Sequence, residues 1–403
     1  MHLRESVRGF ELTRPPADFI DDPYPYYAAL RDHDPVHALE GGGVLLTRYE
    51  DALAVYRDPR ASSDKKIEFR PKFGDSPLYE HHTTSLVFSD PPLHTRVRRL
   101  IMGALNQRAI ARMEADVARL VDALLERMAE QREFNFIDRF AAGIPVEVIG
   151  NLLNVPHRER GPLRAWSLAI LSGLEPAPSR EILDRGNRAV SDFIEYLKRL
   201  VAERRKHPGD YESDVLTRLI QGENDGERLT EKELFHNCIF LLNAGHETTT
   251  NLIGNGMWLL LTHPGEMARL RGAPQLVPSA VEEMLRYEGP IQLNNRRLTR
   301  SVELGGKTVP QGTFITIAIG AVNRDPAQFA DPERFDVSRD PNRHVAFGQG
   351  AHACAGMNVA RMEGRVAFTR LLARFPKIEL AGEPERDRRI RFRGFRKLPV
   401  RVG

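Results

Sequence analysis

Cysteine is nearly absent from this chain: Cys238 and Cys354 are the only two in 403 residues. Two thiols cannot build a disulfide framework, and they are too few for a Cys-rich zinc site or a four-thiolate iron–sulfur cluster. If sulfur holds a metal here, one cysteine must suffice. Also missing is any run that stays uncharged for the ~20 residues that span a bilayer, and the first ten residues, Met1 to Phe10, lack the apolar stretch of a secretion signal. The expectation is a cytoplasmic protein without a membrane anchor. Charge of one sign is not in excess either. Lys and Arg number 58 against 55 Asp and Glu, which leaves a formal charge of +3 and no argument for a nucleic-acid partner. Repeats and Ser- or Gly-rich linkers are lacking, so the reading is one domain over 1–403 with residues 1–20 as an N-terminal arm.

What is present is ordinary for a globular protein, 41% apolar and 28% charged. Apolar residues recur at helical spacing over 108–131, 187–206, 231–261 and 357–374, with few internal breakers. Strand-like runs are short and fall at 35–47, 298–318 and 388–402, with Gly305-Gly306 placed as a hairpin turn. The fold class is therefore mainly α with small β-sheets. The Pro-rich stretch 322–350 reads as a long irregular segment, and such segments are usually functional.

Directly after it stands Phe347-Gly348-Gln349-Gly350-Ala351-His352-Ala353-Cys354-Ala355-Gly356, followed by a helical run from Met357. A cysteine at a helix N-terminus meets unpaired amide donors and the positive dipole end, both of which favour a thiolate, the form an iron ligand needs. Gly348 and Gly350 allow a sharp turn and close approach to a flat ring. Taken alone, a lone cysteine is more often a small buried hydrophobe, and Cys238, inside the apolar run from Phe235 to Leu242, is read that way. A dinucleotide fingerprint over Gly348, Gly350 and Ala353 is a weak competitor, because no buried strand precedes it. Further upstream, Thr230-x-x-Glu233 reads as a capping box opening a helix through Leu261. In its middle lies Ala244-Gly245-His246-Glu247-Thr248-Thr249-Thr250, where Thr248 can bond back to the carbonyl of Ala244 and Gly245 loosens the helix, so a kink is expected. A hydroxyl beside a carboxylate suits the delivery of protons to bound dioxygen.

The ten residues from Phe347 to Gly356 resemble the haem-binding signature of the cytochrome P450 superfamily, and the glycine-acid-alcohol segment resembles its oxygen-activating helix. The resemblance runs from about Asp22 to Pro399. It implies haem b between the long central helix and the cysteine-loop helix, with Cys354 as axial iron ligand and Ala244, Gly245, Phe347, Gly348, His352 and Gly356 about the ring. It carries Glu247 and Thr248 over as proton-delivery residues, and His94, Arg98, Arg296 and His352 as propionate ligands. Glu283 and Arg286, three apart on one helix face, would form a structural triad with Arg334. Ala244, Ile291, Gln292, Asn294 and Phe395, with segments 62–89 and 166–190, would border the substrate. The implied activity is a monooxygenase acting on a small organic molecule with O2 and two electrons drawn from NAD(P)H through a ferredoxin or flavodoxin and its reductase. Arg96, Arg99 and Arg343 are candidates for the docking face. A peroxide-driven haem-thiolate oxidase or peroxygenase and a non-enzymatic haem sensor are the alternatives that keep the cysteine.

Overall fold

A computed structural model describes residues 7–105, 107–211, 214–224 and 227–403. The first six residues of the expected arm lie outside the described residues; its remainder folds back through Phe10, Leu12 and Phe19, which are buried against Tyr26 and Tyr27. The four long amphipathic stretches are helices Gln107–Gln131, Arg180–Lys206, Glu231–Thr262 and Met357–Arg374. Local chemistry sets their ends. Ser179 accepts from the Ile182 amide at one N-terminus, and Arg204, Arg205 and Lys206 complement the dipole at the other end of that helix. The Thr230 capping box is complete, with Glu233 reaching back to the Thr230 amide.

Helix Glu231–Thr262 is apolar on most sides and so becomes the axis of the core. Helices Gly143–Leu152, Leu163–Ser172, Arg180–Lys206, Val277–Tyr287 and Met357–Arg374 all pack on it. It runs through Gly245 as one uninterrupted α-helix without a widened turn, and the Thr248 hydroxyl donates to the Ala244 carbonyl at 2.7 Å.

The main sheet has five strands in the order Val36–Ala38, Val44–Leu46, Phe314–Ala318, Leu293–Leu298, Ala61–Ser62. Its pairs are antiparallel except for the parallel match of Val44–Leu46 with Phe314–Ala318. A separate hairpin, Val302–Leu304 with Lys307–Val309, turns at Gly305 and Gly306, both at positive φ (53° and 75°), the geometry of a two-residue primed turn. A three-stranded sheet sets Pro399–Val402 between Ile378–Leu380 and Glu133–Asn135.

Between Val322 and Gly350 the chain is irregular, and two buried side chains hold it. Arg286 and Glu283 are fully buried and bonded at 2.7 and 2.8 Å. Arg286 also donates to the carbonyls of Asn323, Pro332 and Arg334. The third member of the triad is Arg339, 3.1 Å from Glu283, and not Arg334. The Arg334 carbonyl turns inward to accept from Arg286 and Arg339, so its side chain points out and remains mostly exposed.

Candidate active site

The cysteine loop is shaped by its glycines. Gly348 and Gly350 sit at φ 64° and 73°, and a Cβ on Gly350 would stand 2.4 Å from the carbonyl oxygen of Tyr56. The Cys354 amide closes the loop on the Phe347 carbonyl at 2.8 Å, two residues before the Gly356 N-cap of helix Met357–Arg374. The Cys354 side chain is accessible although protein surrounds it, whereas Cys238 is fully buried, as expected of a core residue. Burial pushes the Cys354 thiol up, against the Gly356 amide and the charges of Arg98 and Arg361, which pull it down. The Gly356 amide thus acts in the direction expected of a helix terminus, and burial outweighs it. A coordinated metal would deprotonate it outright. Sequence reasoning passed over Arg361, which lies over the Phe347 ring at 4.8 Å and is held by Glu282 at 2.7 Å.

The four expected propionate ligands come together from three separate elements. His94 and His352 are in ring contact at 3.9 Å, and Arg98 and Arg296 act on both electrostatically. Burial foremost, then the neighbouring cations, drives His352 down to about 3, so it is neutral. His94 Nε2 is buried with no hydrogen-bond partner. Arg296 is buried and donates only to Asn294 Oδ1 and the Asn295 carbonyl. Among the described residues no carboxylate pairs with Arg98 or Arg296; the nearby Asp90 is spent on Ser62 and the Ser63 amide. Cations and an orphaned ring nitrogen without an acid are what the two carboxylates of a haem would complete.

The middle of the central helix keeps an accessible stripe. Phe240, Leu241, Ala244, Gly245 and Thr248 remain accessible at i, i+4 spacing while the residues between them are buried. The helix meets the cysteine-loop helix further along, where Thr249 donates to Glu363 at 3.3 Å and Gly256 lies against Phe368. From that crossing both helices run back towards the accessible residues, Thr248 and Ala244 on one and Gly356 and Cys354 at the head of the other. Glu247 is buried, and its side-chain partners among the described residues do not include Thr248. It accepts from Asn251 at 3.2 Å and is ion-paired with Arg389, which also pairs with Asp387 at 2.5 Å.

The expected substrate border is partly redrawn. Ile291 bridges to Phe392. Gln292 points the other way: it is buried, donates to the Gly289 carbonyl and packs on Gly320 and Tyr27. Asn294 braces Arg296 and Tyr56, so it belongs with the cations. Phe395 is buried on Trp258 at 5.6 Å, ten residues past Thr248, or about 15 Å along the helix. Phe392 replaces it as the aromatic beside Ile291. Of the arginines proposed for docking, Arg96 is tied to Glu233 and the Arg228 carbonyl, and Arg343 is exposed.

A family model described as Cytochrome P450 matches residues 174–399. Over 96% of both chains the sequence is 39% identical to cytochrome P450 107B1 of Saccharopolyspora erythraea. The chain belongs to the cytochrome P450 family. This P450 is also 38% identical to 6-deoxyerythronolide B hydroxylase of the same organism, over 95% of its own length and 97% of the relative's. The solved structure of P450BioI with an acyl carrier protein ligated to hexadec-9Z-enoic acid matches it with a TM-score of 0.91 at 33% identity, covering 96% of this chain and 100% of that one. The P450 is accordingly a haem-dependent monooxygenase that acts on a small molecule with O2. Among the described residues no helix is long and apolar enough to cross a membrane, and no cluster of three or more His, Cys, Asp or Glu could hold a metal ion.

Proposed function

We propose that Cys354 would hold the iron of a haem whose propionates His94, Arg98, Arg296 and His352 would bind, and that the protein so loaded hydroxylates an organic substrate. The observation that carries this is a cluster of cations with no paired carboxylate among the described residues, together with an accessible thiol surrounded by protein. Haem bound there would supply the activation of dioxygen, one atom of which goes into a C–H bond while the other leaves as water with two electrons and two protons, and the protein supplies what surrounds it.

Cys354 would give its sulfur to the iron, with the Gly356 amide, Arg98 and Arg361 sharing the negative charge. Ala244, exposed on the central helix, would leave space for dioxygen, while Gly245 lets Ile149 pack close against the same turn. The Thr248 hydroxyl, fixed by its bond to Ala244, presents its lone pairs to that space and holds a donor or a water there. Glu247 would receive protons from solvent by way of the partly exposed Asp387, with Arg389 holding both carboxylates, and would turn to Thr248 by letting go of Arg389. Ion-pair release is thus the gate on proton supply. Electrons would come from NAD(P)H through a ferredoxin or flavodoxin with its reductase, docking over the basic exterior near Arg99 and Arg343.

The test is spectroscopic. Purified protein should bind haem and give the thiolate-type carbon monoxide spectrum, and Cys354→His should abolish that spectrum. An imidazole-like spectrum in the unaltered protein sinks the proposal. Thr248→Ala should retain haem while diverting reducing equivalents to peroxide, read as the ratio of peroxide to product; unchanged coupling removes Thr248 from proton delivery.

A further inference from the structure

Arg389 is held in an unusual way for a buried cation. Its Nη2 alone faces both acids, Glu247 and Asp387, while Nε and Nη1 are buried with no acceptor among the described residues. Burial opposes its charge, and Glu247 and Asp387, with Glu175 adding to them, outweigh that effect. A guanidinium carries its N–H donors in a fixed fork. An ion pair that uses one nitrogen therefore leaves most of its hydrogen-bonding capacity unspent, in a place where unmade bonds are costly.

Arg389 also lines a small cavity together with Tyr27, Gln292 and Arg393, with about 10 Å³ open to the centre of a water molecule. That is room for one water. Two of these neighbours carry acceptors that are themselves unmatched. The Tyr27 hydroxyl and Gln292 Oε1 are buried without a partner among the described residues; Tyr27 is 1% exposed, Gln292 2%, and the Arg389 side chain 9%. Gln292 is fixed in place, because its amide donates to the Gly289 carbonyl at 2.8 Å and its oxygen lies over Gly320, where a Cβ could not fit. Burial raises the Tyr27 hydroxyl, so it keeps its proton. Arg393, the other cation at the cavity, does not compete: its nitrogens are spent on Glu288 and on the carbonyls of Ile20 and Asp21.

We propose that this cavity is a second seat for the Arg389 guanidinium, in which one fixed water bound by Tyr27 and Gln292 receives the cation when it lets go of Glu247. The inference rests on the reading in which release of that ion pair gates proton supply, and it names what holds the cation meanwhile. The water accepts from Nε or Nη1, donates to Gln292 Oε1 and shares a hydrogen bond with the Tyr27 hydroxyl, which satisfies all three unmatched groups at once. Without such a seat, opening the pair would strand a cation in a largely dehydrated place, at a cost that keeps the pair shut. With it, the guanidinium trades one partner for another and stays anchored through Asp387. Tyr27 and Gln292 thus act through Arg389, as positioning residues.

The experiment follows hydrogen exchange at the Arg389 Nε–H by nuclear magnetic resonance, in the haem-loaded full chain reduced under carbon monoxide, with isotope-labelled arginine and Arg389→Lys to assign the signal. Exchange should be about tenfold or more slower than at the exposed Arg388. Glu247→Gln removes the acid from the pair, and exchange should stay within about twofold of the parent because the second seat holds. Adding Tyr27→Phe, or separately Gln292→Leu, to Glu247→Gln should speed exchange by about fivefold or more, the loss of one hydrogen bond. Exchange at Arg389 as fast as at Arg388 once Glu247 is replaced, or no further change with Tyr27→Phe, overturns the proposal. A crystal structure of the same protein should show one ordered water on Tyr27 Oη, Gln292 Oε1 and Arg389; a site without it overturns the proposal as well. The gating reading fails separately, by an unchanged pH profile of product formation in Arg389→Gln, and the carbon monoxide spectrum of the same samples reads the haem-thiolate assignment directly.

Discussion

Two single positions around the cysteine loop and the helix behind it carry more than their size suggests. Gly350 combines a left-handed φ with a contact to the Tyr56 backbone that no side chain can enter. Gly350→Ala should therefore strain the loop by a few kcal/mol, roughly the cost of a forbidden backbone conformation plus a steric clash, and purified protein should retain well under half its haem. Glu363 is buried with Thr249 as its hydrogen-bond partner, and burial pushes its carboxyl up to about 8. A raised folded-state value means full stability only below the unfolded carboxylate range, with loss as pH climbs from about 4.5 to about 8. Glu363→Gln should thus be more stable than the parent, by an amount that grows over that interval to the order of a few kcal/mol, measurable by denaturant titration at several pH values. At this scale the sequence was legible wherever the signal is local. Cys354, His94, His352 and Thr248 stand in short motifs whose neighbours define them. Arg339 was not legible because Arg334 is equally basic and five residues away; only the inward turn of the Arg334 carbonyl decides between them.

Among elements, the central helix was readable from its capping box to its end, since cap and periodicity are both written in sequence. Thr230→Ala should cost about 1 kcal/mol. Glu233→Ala should cost more, because that carboxylate also holds Arg96 and so ties helix Leu93–Ala104 to the central one. Thermal denaturation of the two variants would rank them. The strands were read less well, for a reason built into their period. Alternate residues of an extended chain face opposite ways, so a pocket contact at Ile291 excludes Gln292, and a step of three carries Phe395 to the face opposite Phe392. Sequence hydrophobicity cannot tell which of two aromatic faces looks inward. The partnering of Glu247 was likewise out of reach, because Arg389 lies far along the chain. Arg389→Gln should leave haem binding intact but shift the pH dependence of product formation, since the acid would no longer have to break an ion pair; an unchanged profile would show that the pair does not govern turnover.

For the molecule as a whole, the clamp of Glu283, Arg286 and Arg339 decides whether the irregular 322–350 stretch docks at all. Removing one partner strands a buried charge, which costs about 3–5 kcal/mol, whereas an exposed arginine costs roughly 0.5 kcal/mol or less. Arg339→Ala should therefore abolish or greatly lower recovery of haem-loaded protein, while Arg334→Ala should behave as the parent in yield and melting temperature. Equal behaviour of the two would return Arg334 to the triad.

The parallel pairing of Val44–Leu46 with Phe314–Ala318 also sets an order of assembly. Residues near the start of the chain must wait for residues beyond 314 before their sheet can close, and contacts that bridge such separations form late. Arg296 rides on the strand alongside Phe314–Ala318, so its guanidinium reaches its place only when that closure is complete. The helices can assemble before this. A cell that makes the polypeptide faster than it makes porphyrin would therefore accumulate a helical, colourless form still lacking its last cation, and precursor supplied during synthesis should raise the pigmented fraction more than the same amount added after purification.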